Sequence, residues 1–320
     1  MKRKSKNRFR NVPMGFTVVE LLVATGIIAV LMALLVPAVQ QARETSRHVA
    51  CANNLRQLAV ACHQFEGTYR VFPPGHLGPP ISLDDIGEAQ QQQNTWTGHL
   101  GFLFPYVEQS AIYNSLDPIL WNRDVRIGPA WFLRPEVIHQ MSQNRISILQ
   151  CPSDGDAADA KSIPAIQPPS VLLADEKIQN GRTSYLGCSG IVTSTPDGDV
   201  HATGVFYSRS KVRAGEISDG LSTTLLFGEV LGEAPEEHPE TITHRHAVLC
   251  GAIPVDNFWL LDDTYDRGPS YALIFRSRHN MFVNMAFADG SVHKISANMD
   301  RDVLKALASI SGGEVVDSGF

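Results

Sequence analysis

A single carboxylate, Glu20, lies near the start of an apolar run that extends from Phe16 to Val39. A charged side chain inside a bilayer costs on the order of 2.5–3.5 kcal/mol, so this carboxylate needs a partner. Cleavage between Gly15 and Phe16 would create one, because a free α-amine has a pKa of about 7.7–8.0 and is mostly protonated near neutral pH. The residue types therefore indicate a cleavage that supplies a cation for an acid in an apolar segment.

The spacing allows this pair to form between two copies of the chain. Glu20 lies four residues beyond Phe16, about 6 Å along a helix, in the first turn where the helix dipole favours an anion. Two helices offset lengthwise could join Glu20 of one copy to the amine of the other, and the pair would set the register of an assembly. Methylation of the amine would keep its charge.

The element that must position this chemistry is a run of 24 residues in which Glu20 is the only ionisable side chain. As a helix it would span about 36 Å, enough to cross a bilayer core of about 30 Å. The alternatives are a cleaved secretory signal ending near Ala38, a plain signal anchor and a buried core helix. The run is longer than a signal sequence requires and apolar on all faces, which argues against the first and the third.

Charge is distributed unevenly along the chain. Residues 1–15 contain six Lys and Arg and no acidic residue, whereas the remainder carries 21 basic and 33 acidic residues, a net charge of −12. A body with this charge is not expected to bind nucleic acid or anionic lipid. The basic leader is expected to stay in the cytoplasm and the body to be exported.

The N-terminal pattern resembles the class III signal of type IV pilins and type II secretion pseudopilins. The resemblance implies that a prepilin peptidase cuts after Gly15 and methylates Phe16, that Glu20 serves assembly and that Pro37 bends the helix. The partners would be the peptidase, the membrane and other pilins or pseudopilins. The residues that match are Gly15, Phe16, Thr17, Glu20, Leu21, Leu22 and Pro37.

Beyond Pro37 the helical pattern continues, and the sequence predicts one helix over residues 17–66 that ends at Gly67. Its second half is amphipathic, with residues 40–66 packing on an exported globular domain over residues 67–320. The apolar face consists of Leu55, Leu58, Cys62 and Phe65.

The rest of the chain reads mainly as strands and loops, so the fold class expected is α+β: a long N-terminal helix on a mostly antiparallel sheet. The segments "ISILQCPSD", "TSYLGCSG", "GVFY" and "TTLLFGEV" have strand composition. In "FVNMAFADGSVHKIS", Asp289 and Gly290 predict a hairpin with a type I′ turn. A terminal helix is expected in "MDRDVLKALASI", with Gly312 ending it.

A second resemblance covers almost the whole body. The segments "CANNLRQLAVACHQFEGTYRVFPPG", "LFPYVEQSAIY", "LQCPSD" and "EISDGLSTTLLFGEV" are similar to those of a large bacterial family of prepilin-like proteins of unknown function. That family carries a C-terminal box of His, nine residues and Asp-Gly, matched here by His279, Asp289 and Gly290. The family implies an architecture but no reaction.

His279 and Asp289 could form a ligand or processing site. The alternative is structural: Asp289 belongs to a hairpin turn and His279 anchors the start of a strand, too far along the ladder for the two side chains to meet. We expect the structural role.

Two other groups of residues have ligand chemistry. Asp154, Asp156 and Asp159 could hold calcium in a loop, although an EF-hand's terminal Glu is absent and Asp-rich turns are common. A set of histidines and glutamates fits no strong zinc pattern, so a solvated loop is expected there. That set is His238, His244 and His246 with Glu236, Glu237 and Glu240. No cofactor is therefore expected, and calcium stays the weak candidate.

The chain has five cysteines, so at least one is unpaired within it. Cys51 and Cys62 lie about 16 Å apart along a continuous helix and cannot bond each other. Cys51 and Cys151 both lie in segments that resemble the family, and a bridge between them would tie helix to sheet. This pairing is a hypothesis.

Together with the apolar run and the charge distribution, the resemblance to pilins and pseudopilins implies a single-pass protein of the bacterial inner membrane that forms or helps to form a type IV pilus or a type II secretion-like assembly. The main alternative is an anchored cell-envelope protein that binds a glycan or a secreted macromolecule. A hydrolase with an unrecognised site is a third class. The sequence contains no nucleophile elbow, P-loop, HExxH or dinucleotide-binding glycine pattern, so no enzymatic activity is expected.

Overall fold

The structure is a computed structural model of the 320-residue chain. It describes residues 17–78, 94–124, 128–142, 144, 146–154, 161–163, 182–194, 200–230, 244–247, 275–279, 282–296 and 298–314. The chain divides into two compact units, Met1–Ser46 and Arg47–Phe320.

One long helix, α1, extends over Val18–Tyr69 and contains Pro37. The sequence predicts a last helical residue at 66, before Gly67, but the helix continues for three more residues. A glycine costs a helix only about 1 kcal/mol. A contact between aromatic side chains on either side of Gly67 stabilises the additional helical residues, since the rings of Phe65 and Tyr69 lie 4.5 Å apart. The helix stops where Arg70 takes a left-handed conformation, with φ of 63°.

The C-terminal part of α1 buries one face. The amphipathic pattern predicted from the sequence is confirmed, because its four apolar residues are all buried, and Cys51 on the same helix is buried as well. Burial of this kind stabilises the fold by about 25 cal/mol per Å² of apolar surface removed from water. The four predicted residues are Leu55, Leu58, Cys62 and Phe65.

The described residues also form four shorter helices and nine strands, the strands arranged in three sheets. The helices are α2 (His99–Leu103), α3 (Ser110–Ser115), α4 (Pro135–Ser142) and α5 (Arg301–Ala308). The strands are β1 (Lys161–Ile163), β2 (Arg182–Thr183), β3 (Tyr185–Gly187), β4 (Val192–Ser194), β5 (Val200–Ala202), β6 (Leu225–Glu229), β7 (His244–Ala247), β8 (Phe282–Phe287) and β9 (Val292–Ser296).

The main sheet has four antiparallel strands in the order β3-β6-β8-β9. Tyr185 pairs with Glu229 across β3 and β6, and β8 and β9 form a hairpin. The helix packs on this sheet, so the α+β class expected from the sequence is confirmed. A smaller sheet has the order β1-β7-β2, and β4 pairs with β5.

Two segments predicted as strands are not strands. In "ISILQ" the backbone forms a 3₁₀ turn over Ser147–Leu149. In "GVFY" the backbone bonds to two different segments: Phe206 N–H donates to Cys188 O, and Tyr207 O accepts from Gly75 N–H. A strand needs one continuous partner, so strand composition alone was misleading here.

The β8–β9 hairpin is confirmed, but its turn is not type I′. Gly290 has φ of 86°, whereas Asp289 lies outside the positive-φ region. The loop has three residues, and Phe287 N–H bonds Ser291 O at 2.9 Å. This is a type I turn followed by a left-handed glycine. Tertiary contacts account for the difference, because Asp289 N–H donates to Leu221 O on a neighbouring turn.

The terminal helix α5 ends at Ala308, earlier than the end predicted at Gly312. Asp300 caps its start by accepting from Asp302 N–H, and Ser309 follows its last residue with extended backbone. The glycine at 312 instead donates its N–H to Asp219 at 2.7 Å. A tertiary hydrogen bond therefore uses the backbone that a longer helix would have required.

Candidate functional site

The first half of α1 exposes its large apolar side chains. Val18 is 79% exposed and Leu34 is 71% exposed, and the exposed series continues to Val39. By length and composition this helix could cross a membrane, and its most apolar stretch is not buried anywhere in the part of the chain that the structure describes. A contiguous apolar surface of this size is normally covered by lipid or by another protein.

Glu20 lies in the first turn of this helix and forms a capping box with Thr17. Its Oε2 accepts hydrogen bonds from the Thr17 backbone N–H and from the Thr17 hydroxyl, both at 2.8 Å. In return Thr17 Oγ1 accepts from Glu20 N–H at 3.2 Å. The pattern T-x-x-E is the sequence signature of this cap, so the sequence also contains a local explanation for Glu20, which the expectation of an assembly role did not include.

The other residues of the N-terminal signal are only partly described. Gly15 and Phe16, the residues on either side of the predicted cleavage site, lie outside the described residues. Pro37 lies within α1, and the helix continues on both sides of it.

Within the unit Arg47–Phe320, a disulfide joins α1 to a segment that lies 100 residues further along the chain. Cys51 on α1 is bonded to Cys151, which follows the turn Ser147–Leu149, and the Cα atoms are 5.0 Å apart. Cys51 is fully buried and Cys151 is 9% exposed. The bond therefore links the helix to the segment that leads into the sheet.

Two ionisable side chains lie against this disulfide. His279 Nε2 is 3.4 Å from Glu229 Oε1 and 3.6 Å from Cys151 Sγ. The side chains of His279 and Glu229 are almost completely buried, at 1% and 2% exposure. Glu229 ends the interior strand β6, and His279 precedes β8. The sheet thus brings a carboxylate and an imidazole to the place where α1 is cross-linked.

Asn284 on β8 holds the Glu229 carboxylate in place. Its backbone N–H donates to Oε2 and its side-chain amide donates to Oε1, both at 2.9 Å. Asn284 Oδ1 lies 2.8 Å from His48 Nε2 on α1. The rings of His48 and His279 meet edge to face at 5.1 Å. This network fixes the direction in which the carboxylate and the imidazole point.

His279 and Asp289 are not brought together. Asp289 lies in the loop at the far end of β8, where its Oδ1 accepts from Ser291 N–H at 2.8 Å. The six-residue strand between them spans about 20 Å. His279 instead contacts Glu229 and Cys151, and neither contact was predicted from the sequence.

The weak calcium candidate is described only at Asp154. That carboxylate is 2% exposed and accepts from the Ser184 hydroxyl at 2.7 Å. Asp156 and Asp159 lie outside the described residues, and so does His238. His244 and His246 belong to β7, where only their backbone is described.

Glu229 was the main residue missed from the sequence. It is the one charged residue in the strand "LLFGE", which is otherwise apolar and fully buried. A carboxylate at the end of a buried strand needs hydrogen-bonding partners, and this was the available signal. The identity of the partners could not be read, because they come from segments far apart in the chain.

A second buried histidine, His99, contacts strand β3 of the main sheet. Its Nε2 accepts from Gly187 N–H at 2.8 Å, and its Nδ1 lies 3.4 Å from Gly75 O. Burial lowers the pKa of His99 to about 3, and nearby His76 adds to this while the bond to Gly75 opposes it. His99 is therefore a neutral structural histidine. A side chain at Gly187 would collide with it, since an added Cβ would lie 2.9 Å from Nε2.

An open cavity of about 380 Å³ lies beside α3. Its largest side chains are Tyr113 and Trp121, whose rings stack 4.4 Å apart. Two exposed amides, Asn114 and Asn122, flank them. Aromatic faces next to amide groups can hold a polar ligand that also has apolar surfaces.

These features define an α+β protein whose long N-terminal helix packs on an antiparallel sheet, an architecture consistent with that of pilins. Residues 40–302 match the model of a family described as "Protein of unknown function (DUF1559)". Because the match covers more than half of the chain, the chain belongs to that family. No curated protein and no solved structure shows a significant match to it.

Proposed function

We propose that the chain is a prepilin-like pseudopilin. Prepilin peptidase cuts it between Gly15 and Phe16 and methylates Phe16, and the mature protein joins a type IV pilus or a type II secretion-like assembly. The globular domain lies outside the inner membrane and supplies contacts with partners. No reaction and no resident cofactor are assigned to it.

One observation carries the proposal: Glu20 is a carboxylate on an apolar helix whose side chains are exposed in the described chain. Lipid and neighbouring helices would cover that surface, and the acid would then need a cation. The Phe16 amine of an adjacent copy is the cation that cleavage supplies, and removing one member of a buried ion pair costs about 3–5 kcal/mol. The capping box with Thr17 satisfies hydrogen bonds but leaves the negative charge in place.

Intact-mass measurement of the protein purified from membranes tests the processing step. We expect the mature chain to lack residues 1–15 and to carry about 14 Da for one methyl group. Gly15→Ala should slow cleavage. Gly26→Ala is the matched control, because Gly26 lies within α1 and an added Cβ meets no atom within 4 Å. A mature N-terminus at Met1, or one near residue 39, would overturn the proposal.

The cavity beside α3 favours a second candidate, an anchored envelope protein that binds a glycan. Sugar rings have apolar faces that pack on aromatic side chains and hydroxyls that bond amides, and Trp121 with Asn114 offers both. Titration with soluble peptidoglycan fragments, followed by tryptophan fluorescence, tests it. We expect Asn114→Ala to weaken binding without a change in folding; absence of binding to the wild-type protein removes this candidate.

A further inference from the structure

Four side chains with metal-ligand chemistry converge at the joint between α1 and the sheet. They are Cys51, Cys151, Glu229 and His279, and one ligand atom from each lies within 4.8 Å of all the others. Three are buried below 5% exposure, and Cys151 is 9% exposed. We refer to these four residues as the joint cluster.

The distances within the joint cluster can be compared with those around a tetrahedral ion. Zinc binds sulfur at about 2.3 Å and nitrogen or oxygen at about 2.0–2.2 Å, which sets unlike ligand atoms about 3.4–3.6 Å apart. Here Nε2 of His279 lies 3.4 Å from Oε1 of Glu229. Sγ of Cys151 lies 3.6 Å from that nitrogen and 3.9 Å from that oxygen. Three edges of a tetrahedron are therefore already close to the values that zinc requires.

The fourth ligand, Cys51, is held by the disulfide. Bonded sulfurs lie about 2 Å apart, whereas two thiolates on one zinc ion lie about 3.8 Å apart. Reduction would release this restraint. Cys151 lies outside helix and strand, so its side chain can move without disturbing a backbone ladder.

Outer contacts also match those of a metal site. Ligating carboxylates are usually oriented by further hydrogen bonds. Glu229 receives two from Asn284, and Asn284 contacts His48 in turn. The ring of His279 stacks on Phe282 at 5.7 Å, which restricts its rotation. The joint cluster is thus preorganised at every member except the sulfur pair.

We propose that, when the disulfide is reduced, Cys51, Cys151, His279 and Glu229 form a tetrahedral zinc site. A phosphine reductant and one water convert the disulfide to two thiols and a phosphine oxide. Zinc then displaces the two thiol protons and binds two thiolates, the imidazole and the carboxylate. The helix stays tied to the sheet in both states, by a covalent bond in one and by a metal in the other. The chain has reduced cysteines, and so can bind zinc, before export, because disulfides are rare in the reducing cytoplasm where the chain is made.

Cobalt titration of the full-length chain in detergent micelles tests this proposal. After reduction with a phosphine we expect one Co²⁺ per chain, with thiolate-to-cobalt charge transfer in the near ultraviolet and the intense visible bands of a tetrahedral ion. Zinc should displace it. The chain with its disulfide intact should show neither signal.

Variants identify the ligands. The double variant C51S/C151S should lose the charge-transfer band. Glu229→Gln and His279→Gln should weaken binding by on the order of a hundredfold, since even residues that only orient ligands change metal affinity about 10- to 100-fold. Cys62→Ala and His293→Gln are the matched controls, because neither residue belongs to the joint cluster, and both should bind as the wild type does.

A measurement on the wild-type chain covers the case in which a variant does not fold. In the reduced protein, zinc should protect Cys51 and Cys151 from alkylation and leave the labelling of Cys62 and Cys188 unchanged, as read by peptide mass spectrometry. The proposal is wrong if the reduced chain binds no metal. It is equally wrong if the oxidised chain binds metal as tightly, or if zinc protects other cysteines instead.

Discussion

At the start of α1 the carboxylate of Glu20 has two separable properties. It accepts hydrogen bonds from Thr17, and it carries a negative charge. The first stabilises its own helix, because the cap satisfies donors that would otherwise lack partners. The second matters only when lipid or another helix covers the surface, where the charge needs a cation. Substitutions that remove one property and keep the other therefore separate capping from assembly.

We expect Glu20→Gln to be cleaved normally but to assemble poorly. Glutamine can still accept from the backbone at the cap, yet it offers the Phe16 amine no charge. Its share of the sheared filament fraction should fall at least about tenfold, which corresponds to about 1.4 kcal/mol. The measurement is an immunoblot of filament and membrane fractions alongside intact mass.

Thr17→Ala is the complementary variant. It weakens the cap, at a cost of about 0.5–2 kcal/mol of helix stability, and leaves the charge in place. Assembly close to that of the wild type is expected. The reverse result, in which Glu20→Gln assembles and Thr17→Ala does not, would make Glu20 a helix cap and would contradict the charge-pairing account.

The buried histidine His99 makes the stability of the fold depend on pH. Its pKa falls from 6.5 to about 3 on folding because burial disfavours the charged ring. The unfolded chain therefore binds a proton that the folded chain does not, and stability is lost as pH falls from 6.5 towards 3. The slope is at most about 1.4 kcal/mol per pH unit. Urea unfolding at pH 6.5 and 5 measures it, and His99→Gln should remove this part of the slope; an unchanged slope in that variant would show that other groups cause it.

At the scale of elements, the β8–β9 hairpin depends on one backbone conformation. Gly290 adopts φ of 86°, and an added Cβ would meet no atom within 4 Å. Space is therefore available for a side chain, and the backbone conformation alone requires glycine. The hairpin also supplies Asn284, which holds Glu229, so its register matters for the joint cluster.

We expect Gly290→Ala to lower the free energy of unfolding by about 1–2 kcal/mol, because a left-handed conformation costs a residue with a Cβ about that much. Gly290→Asn should cost less, since asparagine tolerates this conformation better. Chemical denaturation followed by circular dichroism compares the two. Equal losses for alanine and asparagine would mean that something other than φ makes glycine necessary.

At the scale of the whole molecule, the disulfide joins residues 100 positions apart and connects α1 to the segment before the sheet. A cross-link of that separation limits the freedom of the unfolded chain, and chain-entropy estimates give about 4.7 kcal/mol for a loop of this length. Measured effects of native disulfides are typically about 2–5 kcal/mol.

The double variant C51S/C151S should therefore be less stable than the wild type by about 2–5 kcal/mol in urea unfolding. Wild-type protein treated with reductant and a chelator should behave in the same way. The Cys62→Ala variant should still lose stability on reduction, as the wild type does, because Cys62 is a free, buried cysteine that takes no part in the disulfide. A wild-type midpoint that does not move on reduction would show that the bond adds little to stability.

The sequence by itself was sufficient to predict secondary-structure elements whose pattern lies within one continuous segment of the chain. The apolar run and the spacing of Leu55, Leu58, Cys62 and Phe65 were sufficient for α1, and the alternation around Asp289 was sufficient for a hairpin. These features follow from periodicity, which any segment carries within itself. The strand assigned to "GVFY" failed because composition does not say whether a continuous partner strand exists.

Only the tertiary structure decided which distant side chains meet. Cys51, Cys151, Glu229 and His279 come from four segments, and their contact depends on sheet order and on the packing of α1. The sequence was sufficient to expect that His279 and Asp289 do not meet, and strand β8 separates them by about 20 Å. It did not reveal that His279 would contact Glu229 and Cys151. The sequence by itself determined the chemistry available at each position, and the fold decided the partners, because contacts between segments depend on how they pack rather than on their spacing along the chain.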